Sequence, residues 1–251
     1  MSQTNQAVII ESRRGSRERP CAPLALMACA EMDRRLLCRR ATPVAGSARQ
    51  AYNARFLEIN HSGRTITVAG PILGAPQAVL ILEKLIALGS RSIVVFGWCG
   101  SLQPQLRIGD WLLPTGARSE EGTSAHYPML SVDFNPDADL CARLQQSCDR
   151  LGHSLQAGPV WTTDAPLRET ETKVRSYAAQ GLMAVEMEMS ALFRVASYRK
   201  VRLAALLVVS DELFTMKWRP GFRSNRFKSA RRQASEVLLD FCAALPPNLM
   251  I

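Results

Sequence analysis

Three continuous strand-forming runs constrain this chain more than anything else in it: Leu24 to Cys29, Ser92 to Phe96 and Leu203 to Val209. Apolar runs without alternation read as strands covered on both faces, and such strands belong to parallel or mixed sheets layered with helices. The segments between them carry helix signals. Pro76 suits a first helical turn, and the body QAVLILEKLIALG stops at Gly89. Asn135-Pro136-Asp137 predicts a second start, with cap, N1 proline and first-turn acid in order, and with Leu140, Leu144 and Leu151 along its apolar face. Met189, Leu192, Phe193 and Ala196 fall at the spacing of an amphipathic helix, and a last helix is predicted over about 225–245. The alternation predicts one α/β domain over residues 22–251, with a central mixed β-sheet flanked by helices. A variable basic lead-in, residues 1–21, precedes it, and its ESRRGSRERP stretch reads as an exposed loop.

A chain of 251 residues with 47% hydrophobic content can bury a full core. The net charge of +9 is unevenly placed, because residues 217–232 hold seven Lys and Arg and no acid. Such a run is either a solvated helix face or a contact for nucleic acid, an acidic lipid surface or a phosphorylated ligand. Seven cysteines, an odd number without CxxC or Cys/His spacing, fit neither a disulfide framework nor a zinc site. Free thiols in a reducing cytoplasm, with no bound metal, are the expectation. No apolar run reaches the roughly 18 residues that a membrane helix needs, and no signal-peptide core is seen, so a soluble cytoplasmic protein is expected.

The acids that could carry chemistry sit at element ends. Asp211 follows LAALLVVS, which places its carboxylate where a buried strand stops, the edge at which open α/β sheets bind ligands. Burial there raises a carboxyl pKa and suits a general acid. Ser210 and Asp211 could equally cap the following segment. Glu186 and Glu188 lie where the amphipathic helix begins. A carboxylate at Glu188 can accept from two neighbouring hydroxyls, as on a ribose edge, and Met187 offers a soft apolar contact. The alternative is that both acids only complement the helix dipole and that Met187 is core. Gly97-Trp98-Cys99-Gly100-Ser101 reads as a glycine turn after a strand, able to hold an anion on backbone amides. His126 reads as a surface loop residue, and Cys99, with no histidine placed to activate it, as a buried thiol.

The order GPILGAP, VVFGWCGSLQPQLRIGDWLLP, EEGTSAHYP, VEMEMSALF and LLVVSDEL resembles the nucleoside phosphorylase superfamily. That family holds bacterial-type purine nucleoside phosphorylase, uridine phosphorylase and methylthioadenosine/S-adenosylhomocysteine nucleosidase. The resemblance runs from about residue 22 to 245. It implies cleavage of a nucleoside N-glycosidic bond, a purine one in the first instance, in a homo-oligomer whose subunits complete one another's sites. It implies that Glu188 binds the ribose hydroxyls, that Met187 packs on the sugar, and that Glu186 is the second motif acid. It further implies that Asp211, beside Ser210, protonates purine N7, and that the 162–168 segment, with Asp164 and Arg168, borders the base. Phosphate would lie against Gly74, Gly97, Trp98 and Cys99. No cofactor is implied, with orthophosphate as co-substrate, and neither a membrane nor a nucleic-acid partner is expected.

The sequence departs from the family at the anion. Where the resemblance implies an Arg before the glycine turn and a Ser or Thr inside it, this chain has Val95 and Trp98. Either other arginines serve, such as Arg55 or the 217–232 run, or water is the nucleophile. LALMACAEMD resembles the first strand and acidic turn of the nucleosidase branch, and that resemblance would put Asp33 near the acid that handles the attacking water. Arg223, twelve residues after Asp211, and Arg226, fifteen after, stand near the place of an arginine that helps the aspartate in hexameric purine enzymes, with Trp218 and Phe222 as parts of a flap. Three readings therefore stand: phosphorolysis, hydrolysis, and a non-catalytic ligand-binding or nucleic-acid-binding protein on the same fold.

Overall fold

The structure is a computed structural model that describes residues 8–128 and 134–249. Its first strand, β1 (Leu24–Ala28), is buried at all five positions. Helix α1 (Glu31–Arg39) follows, and then β2 (Thr42–Pro43), β3 (Arg49–Ala51), β4 (Ala54–His61) and β5 (Arg64–Gly70), which build an antiparallel flank. Helix α2 (Ala75–Ala87) has its proline in the first turn, as its sequence predicts. β6 (Ser92–Ser101) and β7 (Trp111–Glu120) come next, then α3 (Ala138–Arg150), β8 (Leu155–Thr163), α4 (Glu171–Ala179) and β9 (Ala184–Glu186). The chain finishes with α5 (Met189–Arg199), β10 (Arg202–Glu212), β11 (Arg219–Pro220) and α6 (Asn225–Ala244).

Among the described residues these strands form one mixed sheet of eleven, with helices packed on it. β6 and β1 lie side by side in parallel, as two strands covered on both faces should. β10 pairs with β6 along nearly its whole length and also with β7. Because β7, β8, β9 and β6 are joined in turn, those five strands close on themselves. Gly100 of β6 is the meeting point of this closure: it pairs with Val185 on β9 and with Asp211 on β10.

Two sequence expectations are shifted. The helix predicted from Asn135-Pro136-Asp137 begins two residues later, because Asp137 is the cap and its carboxylate accepts from the Leu140 N–H at 2.8 Å. Leu140 and Leu144 are buried, but Leu151 ends the helix and is 49% exposed. The supposed glycine turn at 97–101 is the second half of β6. Its glycines serve close approach, since a Cβ at Gly97 would come within 2.9 Å of Cys29 Sγ and of a Leu207 methyl.

Candidate active site

Glu186 ends β9, and its carboxylate starts α5. One oxygen accepts the N–H groups of Glu188 and Met189, at 2.6 and 2.8 Å, and the other accepts from the Thr162 hydroxyl. A carboxylate on the free amides of a helix start satisfies those donors and the dipole together. Thr162 also accepts from the Ser190 N–H at 3.0 Å, and the Ser190 hydroxyl donates to Glu121 at 2.9 Å. The EEGTSAHYP motif therefore contributes a strut for the helix start, while its His126 is exposed.

Held this way, the two-residue link Met187-Glu188 faces a cavity of about 600 Å³. Glu188 is 6% exposed. One of its oxygens accepts the Gly74 N–H at 2.6 Å, and the other lies 4.0 Å from the Cys29 thiol. Burial pushes both glutamates up from the ordinary carboxyl range, and for Glu186 the charge of Glu188 adds to that. Gly74, expected to hold phosphate, instead spends its amide on fixing Glu188. Its φ of 76°, a backbone state that favours glycine, aims that amide.

Asp211 reaches the same cavity from β10, where the ladder is irregular between Val209 and Asp211. Its oxygens accept from the Ser210 hydroxyl at 2.6 Å and the Trp218 indole N–H at 2.9 Å. Burial raises its pKa, and those two donors oppose the rise. A second carboxyl, Glu169, lines the cavity too, and burial followed by the charge of Asp211 pushes it up to about 7. It lies one residue beyond the 162–168 segment expected to border the base. Asp164 and Arg168, expected from the sequence at the base, are exposed and outside the cavity lining, and Asp164 is engaged by the Gly122 N–H at 3.0 Å.

The expected anion subsite is filled by side chains. Asp33 is fully buried: one oxygen takes two hydrogen bonds from the Arg231 guanidinium, and the other accepts from the Trp98 indole N–H at 2.6 Å. Arg231 lies over the Trp98 ring, 5.0 Å from its centroid. Asp33 is thus held by Trp98 and Arg231 and does not line the cavity, apart from the catalytic place expected for it. Gly97 is likewise outside the lining, and its backbone is part of β6. Cys99 lines the cavity as a buried thiol pushed well up by burial. Arg223 is exposed and away from the lining, Arg226 is bound to Asp110 at 2.5 Å, and Arg55 is exposed near Glu31. Six of the seven basic residues of the 217–232 run are exposed, the solvated-face reading, and Arg231 is the buried exception. Its place was legible, because it falls on the apolar stripe Phe227, Ala230, Ala234, Leu238.

Glu188, Met187 and Asp211 thus share one cavity with Trp98, Trp218 and Phe222 on its walls. Among the described residues lining it there are four carboxyls and no Lys or Arg. No described group of three or more His, Cys, Asp or Glu is placed to hold a metal ion, and no described helix is long and apolar enough to cross a membrane.

An α/β sheet with paired carboxyls at the exits of β9 and β10 defines a class of enzyme-like site, and comparison with known proteins gives it a family. The chain belongs to the phosphorylase superfamily, whose model matches residues 33–245. It is 28% identical over 159 residues to a guanosine phosphorylase of Halorubrum lacusprofundi, covering 63% of this chain and 66% of that protein. It is 31% identical over 156 residues to a DeoD-type purine nucleoside phosphorylase of Myxococcus xanthus, covering 61% and 65%. The matched segment therefore spans just under two thirds of these relatives. In fold, the chain is similar to a purine nucleoside phosphorylase from Toxoplasma gondii in complex with immucillin-H, with TM-score 0.81, 19% identity and 98% of each chain covered. A uridine phosphorylase from Vibrio fischeri aligns with TM-score 0.79 and 18% identity over 90% of this chain and 93% of that one.

Proposed function

We propose that this protein cleaves the N-glycosidic bond of a purine nucleoside by phosphorolysis, releasing the base and ribose 1-phosphate. The observation that carries the reading is the convergence of Glu188 and Asp211 on a single cavity. Breaking the bond leaves positive charge on the sugar and negative charge on the base. The carboxylate of Glu188 has an oxygen available to the ribose hydroxyls, next to Met187 for an apolar sugar face. Asp211, with its pKa raised by burial, can carry a proton to N7 as the base departs. Groups aimed at charges that develop only in the transition state are those that accelerate the step. Orthophosphate as the acceptor is supported by the named relatives, and its cations would come from a second copy in a homo-oligomer.

A second reading, hydrolysis, is favoured by one observation: the lining carries four carboxyls, while the nearby Arg231 is already neutralised by Asp33. A phosphate dianion finds no cation in that lining, whereas water needs none. The deciding experiment incubates the protein with adenosine, inosine, uridine and methylthioadenosine, with and without phosphate, and identifies the sugar product. Ribose 1-phosphate supports the first reading, and free ribose at a rate indifferent to phosphate replaces it with the second. No turnover, with no nucleoside-dependent rise in Tm, would leave the non-catalytic reading.

A further inference from the structure

Asp211 and Trp218 account for one polar position of a bound base, and the cavity offers a second that they do not use. Glu169 follows the 3-10 turn Pro166–Arg168 and precedes the Thr170 cap of α4. Its backbone is therefore held from both sides, with the Glu169 N–H donating to the Pro166 carbonyl at 3.4 Å. Its carboxyl lines the cavity and makes no hydrogen bond or ion pair with any described residue. A half-buried acid that does nothing for the fold and faces a ligand cavity is a ligand contact in want of a donor.

The neighbour that Glu169 feels is Asp211. Both carboxyls line the one cavity, and a base that offers an acceptor to the proton donor Asp211 and a hydrogen-bond donor to Glu169 would satisfy both. One edge of a purine matches that pattern. N7 is an acceptor on every purine, and the adjacent C6 substituent is a donor when it is an amino group and an acceptor when it is an oxygen. We propose that Glu169 is the base-selecting residue of this site and that it accepts a hydrogen bond from the 6-amino group of an adenine-type riboside while Asp211 donates to N7. A 6-oxopurine would set its O6 lone pairs against the Glu169 carboxylate, leaving two acceptors facing each other in a buried place. The proposal rests on the cleavage reading for which end of the cavity holds the base.

The test uses the full chain and its Glu169→Gln variant at about pH 8, above the carboxyl's raised range. The amide keeps the size of the side chain and adds a donor that suits O6. Two measurements are made on each protein: kcat/KM for adenosine and for inosine, and calorimetric binding of free adenine and hypoxanthine. The wild type is expected to favour the 6-amino compound by at least tenfold in both, and the variant to lower that ratio by tenfold or more, with inosine gaining. A wild-type preference for inosine and hypoxanthine, or a ratio within twofold of wild type in the variant, overturns the assignment. Turnover with an unmoved ratio removes Glu169 and leaves bond cleavage standing. Adenine-selective binding that Glu169→Gln abolishes, in a protein that turns over no nucleoside, keeps Glu169 and removes bond cleavage.

Discussion

Replacing Glu188 with Gln tests the sugar grip most directly, because the structure fixes how the amide must sit. The Gly74 N–H, 2.6 Å from one carboxylate oxygen, is a donor and requires an acceptor oxygen opposite it. The amide of the variant therefore points its carbonyl at Gly74 and its NH2 into the cavity. The ribose 2′ and 3′ hydroxyls then lose a charged acceptor. A hydrogen bond to a charged group contributes about 1.5 kcal/mol more than a neutral one, so two of them amount to about 3 kcal/mol. That corresponds to a loss of roughly 150-fold in kcat/KM. A 2′-deoxynucleoside has one hydroxyl fewer, and its loss should be only about tenfold. Stability should move the other way. The folded pKa of Glu188 is raised above its ordinary value of 4.5, so folding takes up a proton between the two values. Its contribution is fully present below 4.5 and fades as pH rises through the folded value. The Gln variant should consequently match or exceed the wild-type Tm at about pH 8 and lose that advantage at about pH 4. Steady-state kinetics on both substrates and thermal melts at both pH values check these expectations. Equal losses on ribo- and deoxy-substrates, or a variant that melts several degrees lower at pH 8, would refute the reasoning.

Three further outcomes are expected. Asp211→Asn should lower kcat about 100-fold on an ordinary purine riboside, and kinetics on a 7-methylpurine riboside, whose base leaves without N7 protonation, should show most of that loss restored. Asp33→Asn should destabilise the fold by about 3 kcal/mol in urea unfolding, because it strips the counter-charge from buried Arg231; an activity loss with unchanged stability would return Asp33 to a catalytic role. Gly100→Ala should cut kcat/KM roughly tenfold or more, since its Cβ would lie 2.5 Å from a Leu213 methyl and 3.1 Å from Asp211 Oδ2; an active variant would show that Asp211 can be displaced harmlessly.

Much of this arrangement is legible in the amino-acid sequence. Unbroken apolar runs at Leu24, Ser92 and Leu203 mark covered strands, and the Glu186–Glu188 and Ser210–Asp211 pairs mark where such strands hand over to the next element. What escaped is what depends on partners distant in sequence. Trp98 reads as an obstacle in a phosphate turn, but in space it is one side of a closed set with Asp33 and Arg231, which are 198 residues apart. Glycines at 97 and 100 suggest a turn when only φ freedom is considered, whereas here they make room between packed strands. Glu169 carries no local signal at all. Only the course of the chain out of β8 brings it to the cavity that Asp211 lines.

The double pairing at Gly100 has a mechanical consequence. One backbone residue sets the separation between the strand that leads into the sugar-holding acid and the strand that bears the proton donor, so the span works as a fixed gauge. Opening the site cannot change that gauge without breaking the closed five-strand ring. Adaptation to a different nucleoside is thereby pushed onto the segments around 166–169 and 213–222, which can be rebuilt while the distance across the scissile bond stays the same.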